Sequence, residues 1–254
     1  KGQSYLYRIR YTGDNSTALS ELDTTSEHAK ARKTRHLLES FHGGPSPKAI
    51  ETAWPFLKSK DYHLRYAARI AIEWQDPKTW ADKAYDESND LAAMHALLGL
   101  ARCDHPGSIQ PSINRLLEVD FSKLNKTDKL ALLRTYSVIM SRAGKPNQSQ
   151  IYAIGNQLDK YFPANDDNLN EELCRLLCYL QHPSVVSKTI ALMKTTKAVA
   201  PDFDPDVMKR GSNYGKKILS TMDKSVAPNI LNIHFLFCLK DVSAGWTMEE
   251  RKSY

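Results

Sequence analysis

Cys174, Cys178 and His182 follow one another at four-residue intervals, which at 3.6 residues per turn sets them along one face of a helix. All three residue types ligate transition metals, so a thiolate and imidazole zinc site is the first chemistry to test. The helix argues against it. The third ligand stands ~12 Å along the axis from the first, and no second Cys/His cluster supplies the rest of a four-coordinate shell. The cysteines therefore read as small core residues. His28, His36 and His42, spaced by eight and six in a first helix, fall on different faces and read as solvated surface.

A recurring polar pattern places an acidic residue near the start of a second helix and an arginine further along it. Asp61 with Arg65, Asp128 with Arg134, and Glu171 with Arg175 follow it, and Arg69 and Arg102 add charge on neighbouring second helices. Arginine's planar fork suits carboxylates and helix-end carbonyls, so these eight residues read as an inter-repeat ladder in preference to a concave ligand groove. The sequence contains no Gly-rich phosphate loop, G-x-S-x-G elbow, H-E-x-x-H helix or C-x-x-C-H haem attachment. The chain reads as non-catalytic, with no metal or cofactor site of its own.

The elements that hold these residues are punctuated by X-Pro steps: Ser46-Pro47, Asp76-Pro77, His105-Pro106, Lys145-Pro146 and His182-Pro183. Proline suits the first helical position, where its missing N–H has no partner to lose. Successive prolines lie 30, 29, 40 and 37 residues apart, the period of helix-pair repeats. Between them the apolar residues keep helical spacing. Ile50, Ala53, Trp54 and Leu57 are followed by Leu64, Ala67, Ala68, Ala71 and Ile72, which makes one helical hairpin. Stripes through Trp80 and Leu97, Ile113 and Tyr136, and Leu158 and Leu173 give three more, and Val186, Ile190 and Met193 begin a fifth. Asn168 and Glu171 have capping-box spacing.

The rhythm breaks over 195–225, where Pro201, Pro205, Gly211 and Gly215 predict a loop and a short helix near Tyr214 to Met222. Ala227 to Val242 reads as a helix buried on both sides, with Leu231, Phe235, Cys238 and Leu239 on one face and Ile230, Ile233 and Phe237 on another. Trp54, Trp74, Trp80 and Trp246 read as core or inter-helix packing.

Composition sets the class. At 254 residues, 41% hydrophobic and 25% charged, with a mean hydropathy of -0.50, the chain can bury a sizeable core and falls outside the disordered and membrane classes. A net charge of +6 favours acidic partners, although the positive residues are spread along the chain. Four cysteines are too few for a disulfide framework.

Tyr5, Tyr7, Ile9 and Tyr11 alternate with Leu6, Arg8 and Arg10 at the two-residue period of a β-strand that has no partner elsewhere in the sequence. It reads as an orphan strand, the end of a preceding domain, joined by a linker over Gly13 to Glu27. Thr247 and Glu250 open a further helix that the sequence leaves at less than two turns. The expected organisation is residues 1–27 as domain end plus linker and 28–254 as an all-α, HEAT/armadillo-like α-solenoid, less regular after 195.

Ala53-Trp54-Pro55-Phe56-Leu57, then Asp61 and Leu64-Arg65-Tyr66-Ala67-Ala68-Arg69, resemble a HEAT repeat. More narrowly, the block from Trp54 to Trp80, together with Tyr7 to Asp14, Leu169 to Leu177 and Gly245-Trp246-Thr247, is similar to the helical middle region of large bacterial haem-binding proteins. In that family a sorbosone-dehydrogenase-like β-propeller precedes the helices and a cytochrome c domain follows. The resemblance implies an exported, periplasmic parent, haem c in a downstream domain, and the flanking propeller and cytochrome c domains as partners of this piece. The expected function is a non-catalytic helical-repeat scaffold or protein-interaction domain. The alternative is a basic solenoid that binds nucleic acid or another polyanion. An enzyme resembling the HEAT-like DNA glycosylases, with Trp54 and Trp80 in an aromatic cleft, is the least favoured reading.

Overall fold

The computed structural model of the chain describes residues 6–18, 24, 26–198 and 228–254. Within them the fold is all-helical, with no strand: α1 (Glu27–Glu39), α2 (Ala49–Ala53, continued by a 3-10 turn Trp54–Lys58), α3 (Tyr62–Glu73), α4 (Ala81–Tyr85), α5 (Asp90–Arg102), α6 (Ile109–Leu117), α7 (Lys126–Arg142), α8 (Gln148–Asp159), α9 (Asp167–Tyr179), α10 (Val185–Met193), α11 (Ile230–Leu239) and α12 (Met248–Ser253). Each even-numbered helix from α2 to α10 packs on the odd one that follows it. The odd helices then form a row in which α1, α3, α5, α7, α9 and α11 each touch the next. A second, looser row runs α4, α6, α8, and α10 packs on α12. The core is continuous between the rows, from Leu38 in α1 to Phe235 and Leu239 in α11.

Local chemistry starts the helices. Asp61, Asn89, Asn125, Asn147, Asp166 and Asn229 each accept a hydrogen bond from an amide in the first turn that no helical carbonyl can reach. The cap of α9 is thus Asp166, not Asn168, which lies inside the helix. Pro77 opens the 3-10 turn Pro77–Thr79, with the Asp76 carboxylate capping the Lys78 amide, as expected, whereas the other X-Pro steps lie before the helices and not at their first residues. Ser46, Asp76, His105 and His182 each accept, through the backbone carbonyl, an amide three residues on, with proline filling the second position of the turn. Three of the hairpins are joined by one pattern, a left-handed residue two before proline: Asp104 (φ 51°), Gly144 (φ 109°) and Gln181 (φ 54°), ahead of Pro106, Pro146 and Pro183. The left-handed residue stops the preceding odd helix, and proline directs the chain into the next even one.

Several expectations change. Leu6 to Thr12 form no strand and are exposed, because a lone strand has no ladder to complete; Tyr5 lies outside the described residues. The helix expected at 214–222, with Pro201, Pro205, Gly211 and Gly215, also lies outside them. Among the described residues α11 packs on α9 and α10, and on its other side Ile230, Ile233 and Phe237 are 65%, 53% and 66% exposed, so it is not buried all round as expected. Trp74 is half-exposed, whereas Trp54 and Trp80 pack edge to face in the core with ring centroids 6.4 Å apart. Neither indole lines an open cleft.

Candidate functional site

The expected charged residues lie on α3, α5, α7 and α9 or at their N-terminal caps, and among the described residues no acid of the set bonds the arginine that follows it in the pattern. Asp61 uses its carboxylate to cap α3, accepting from the His63 and Leu64 amides at 2.7 and 3.3 Å. Asp128 accepts from Asn125 Nδ2 at 2.7 Å and returns its own amide to Asn125 Oδ1 at 3.0 Å. Glu171 contributes its carbonyl, 3.2 Å from His234 Nε2 on α11. At Asp61 a short acidic side chain at the cap meets unpaired amides before it can reach an arginine further along the helix, whereas Asp128 is held by the Asn125 side chain that caps α7.

The arginines find other partners. Buried Arg65 donates from Nη1 to the Ser59 and Lys60 carbonyls at 2.6 and 3.1 Å, tying α3 to the 3-10 turn of its own hairpin, while its Nε is buried without a partner. Arg175 pairs with Glu172 at 2.6 Å on the exposed surface of α9. Arg69 and Arg102 meet at Glu73, a residue outside the expected set. Arg69 Nη1 lies 2.5 Å from Glu73 Oε1, and Arg102 Nε reaches from α5 to both carboxylate oxygens at 2.9 and 3.1 Å. This is a true tie between hairpins. Arg134, on α7, makes no hydrogen bond or ion pair with the described residues.

Other inter-hairpin ties were not anticipated from sequence. Buried Arg115 of α6 donates from Nε to the Glu87 carbonyl at 2.8 Å and from Nη2 to Asp90 Oδ1 at 2.8 Å. Gln150 of α8 bonds the Gln110 carbonyl and Asn114 Oδ1 on α6, and Gln157 joins Tyr136 Oη to the Val119 carbonyl. Asp159 of α8 accepts from Lys188 Nζ of α10 at 2.7 Å and from Ser184 Oγ. Burial would raise the Asp159 carboxyl, but these hydrogen bonds outweigh it and hold it below the usual carboxylate range.

The cysteines are packing groups. Cys174 and Cys178 are buried with Sγ atoms 3.9 Å apart. His182 does not share their face, because α9 ends at Tyr179 and the left-handed Gln181 turns the chain; its Nδ1 meets Ser184 Oγ at 3.0 Å instead. Cys238 stands 3.4 Å from His234 Nε2, four residues away on α11, a second Cys/His pair that the sequence reading overlooked. Among the described residues no three His, Cys, Asp or Glu side chains are arranged to hold a metal ion. A hydrogen bond with Cys178, reinforced by burial, pushes the Cys174 thiol up to about 12, and burial pushes Cys103 up to about 11. His28 and His36 are exposed, whereas His42 lies beyond the end of α1 and is held 2.9 Å from the Ala67 carbonyl.

The strongest candidate site is a cavity of about 320 Å³ on the outer face of the odd row, between α3, α5 and α7. Tyr66, Arg69, His95, Leu98, Arg102 and Arg134 are among its walls. Tyr62 and Tyr66 stack at its edge with centroids 6.1 Å apart, and the Arg65 and Arg69 guanidiniums lie over them at 6.0 and 5.2 Å. His95 has both ring nitrogens buried without a hydrogen-bond partner. Burial, then the charges of Arg65 and Arg69, lower its pKa to about 4, so the imidazole is neutral at pH 7. The arrangement concentrates unneutralised positive charge beside an apolar wall; it contains no nucleophile paired with a base.

Comparison of the chain with protein-family models, with curated proteins and with solved structures finds no match.

Proposed function

We propose that the chain is a non-catalytic HEAT-like α-solenoid, a scaffold that holds the flanking domains of a larger exported haem-binding, dehydrogenase-like protein at fixed separation. The observation that carries this reading is the pair of helix rows, in which each hairpin packs on its neighbours and the core runs unbroken from Leu38 to Leu239. Neighbour-only packing lets an array be lengthened hairpin by hairpin without redesign of its core, which is how solenoids set spacing. The shared left-handed-residue, X, proline turn at Asp104, Gly144 and Gln181 supports a repeat. So does the exposed apolar face of α11, of the kind that a further hairpin or a docked domain covers. The propeller upstream and haem c downstream rest on the resemblance alone.

The polyanion-binding alternative draws on the +6 charge and the arginines of the odd row. Against it, Arg65, Arg69, Arg102 and Arg175 already have protein partners, and carboxylates are interleaved with them.

The scaffold reading is tested by removing residues 109–142, which hold α6 and α7, and measuring the distance between spin labels on α1 and α11. The shortened chain should stay helical and lose about 10 Å of separation, one helix-packing distance. A shortened chain that does not fold, or one whose ends keep their spacing, would refute it.

A further inference from the structure

We propose that the cavity between α3, α5 and α7 is a docking site for an acidic peptide segment of a partner protein, with the partner's carboxylate received by Arg102 and Arg134. The inference goes beyond the scaffold reading, which stands or falls separately.

Two observations point to an anion. Arg134 lines the cavity with no carboxylate or carbonyl partner among the described residues, and Arg102 engages Glu73 through Nε, leaving its terminal nitrogens available. His95 stands in the same wall with its hydrogen-bonding capacity unused. Buried polar atoms without a partner are the exception in native folds, and a polar group entering the cavity would give these nitrogens one. A carboxylate arriving beside His95 would favour its protonated form, which can donate from both nitrogens.

The size and the floor of the cavity choose a peptide over a nucleic acid. The cavity is small, at the lower end of the ~300–1,000 Å³ range of ligand pockets, and its floor includes the apolar side chains of Met94, Leu98 and Val138, which suit one aliphatic residue beside the acid.

The test selects binders to the whole chain from a random twelve-residue peptide library, in parallel on Arg134→Ala and on Arg142→Ala, an exposed arginine outside the cavity. The expected result is enrichment of peptides carrying Asp or Glu beside an aliphatic residue. A synthetic copy of the best should bind the native chain and Arg142→Ala alike and Arg134→Ala at least ~10-fold more weakly, the loss of one charge-assisted contact. It should shift the His95 imidazole resonances, and its amide-substituted form should not bind. Failure to enrich acidic peptides, or equal binding by Arg134→Ala, overturns the proposal. So does a thymidine 20-mer that binds more tightly than the peptide and loses that binding on Arg134→Ala, which would make the cavity part of a nucleic-acid groove.

Discussion

Arg102 and Glu73 are 29 residues apart in sequence, yet the Arg102 Nε lies 2.9 and 3.1 Å from the two Glu73 carboxylate oxygens, joining α5 to α3. The same carboxylate holds Arg69 within its own helix, so one acid serves two cations, and the two cations differ in burial. The Arg69 side chain is 10% exposed and that of Arg102 is 45% exposed. Glu73→Ala strands the buried Arg69 and should lower stability by about 3 kcal/mol, whereas Arg102→Ala leaves the Arg69 pair intact and should cost about 0.5–1 kcal/mol. Urea unfolding of both variants checks this, and equal midpoints would contradict the hub role of Glu73.

The arginines separate into two groups by what they hold. Arg115→Ala and Arg65→Ala each remove charge-assisted bonds from a buried guanidinium and should cost about 1.5–3 kcal/mol. Arg134→Ala, which breaks no bond, and Arg175→Ala, which breaks an exposed pair on its own helix, should stay within about 0.5 kcal/mol of the native chain. Arg175 thus behaves unlike the structural tie that its place in the sequence pattern suggests. A large loss of stability in Arg175→Ala would show that the Glu172 pair is not its only contribution.

His95 gives stability a pH dependence of known sign. Its folded pKa is depressed to about 4 by burial, then by Arg65 and Arg69 on α3, while Arg102 on α5 and Arg134 on α7 line the same cavity. In the unfolded chain the group takes its proton near ~6.5. Between those values the unfolded state holds more protons, so the contribution of His95 is fully present above ~6.5, declines as the pH falls, and is gone below about 4. The slope in that window should be at most ~1.4 kcal/mol per pH unit and should flatten in His95→Gln. Unfolding free energies collected from pH 7 to pH 4 for the two chains decide it, and parallel curves would remove His95 from the account.

The thiols should be slow. Cys174 is raised to about 12, Cys103 to about 11, and Cys238 is pushed up by its hydrogen bond with Cys174 and by burial, so little thiolate exists at pH 8. Alkylation by iodoacetamide, followed by peptide mass mapping, should label Cys174 only as fast as the chain unfolds. Labelling of native Cys174 at the rate of a free peptide thiol would mean that the packing of α9 against α11 opens readily.

Most of the fold was legible in the sequence because its determinants are local. Apolar stripes such as Leu64, Ala67, Ala68 and Ala71 follow the helical period, and prolines interrupt them at repeat-like intervals, so the hairpins could be drawn from spacing alone. The Arg69 and Glu73 spacing of four was equally readable. What only the tertiary structure decided is which polar groups meet between helices. Glu73 with Arg102, Arg115 with Asp90, and Asp159 with Lys188 are paired by the angle and offset at which neighbouring hairpins pack, quantities that no short stretch of sequence encodes. The same packing left Arg134 and His95 without partners among the described residues in one cavity, while contacts local to the helix starts took Asp61 to the free amides of α3 and Asp128 to the Asn125 side chain.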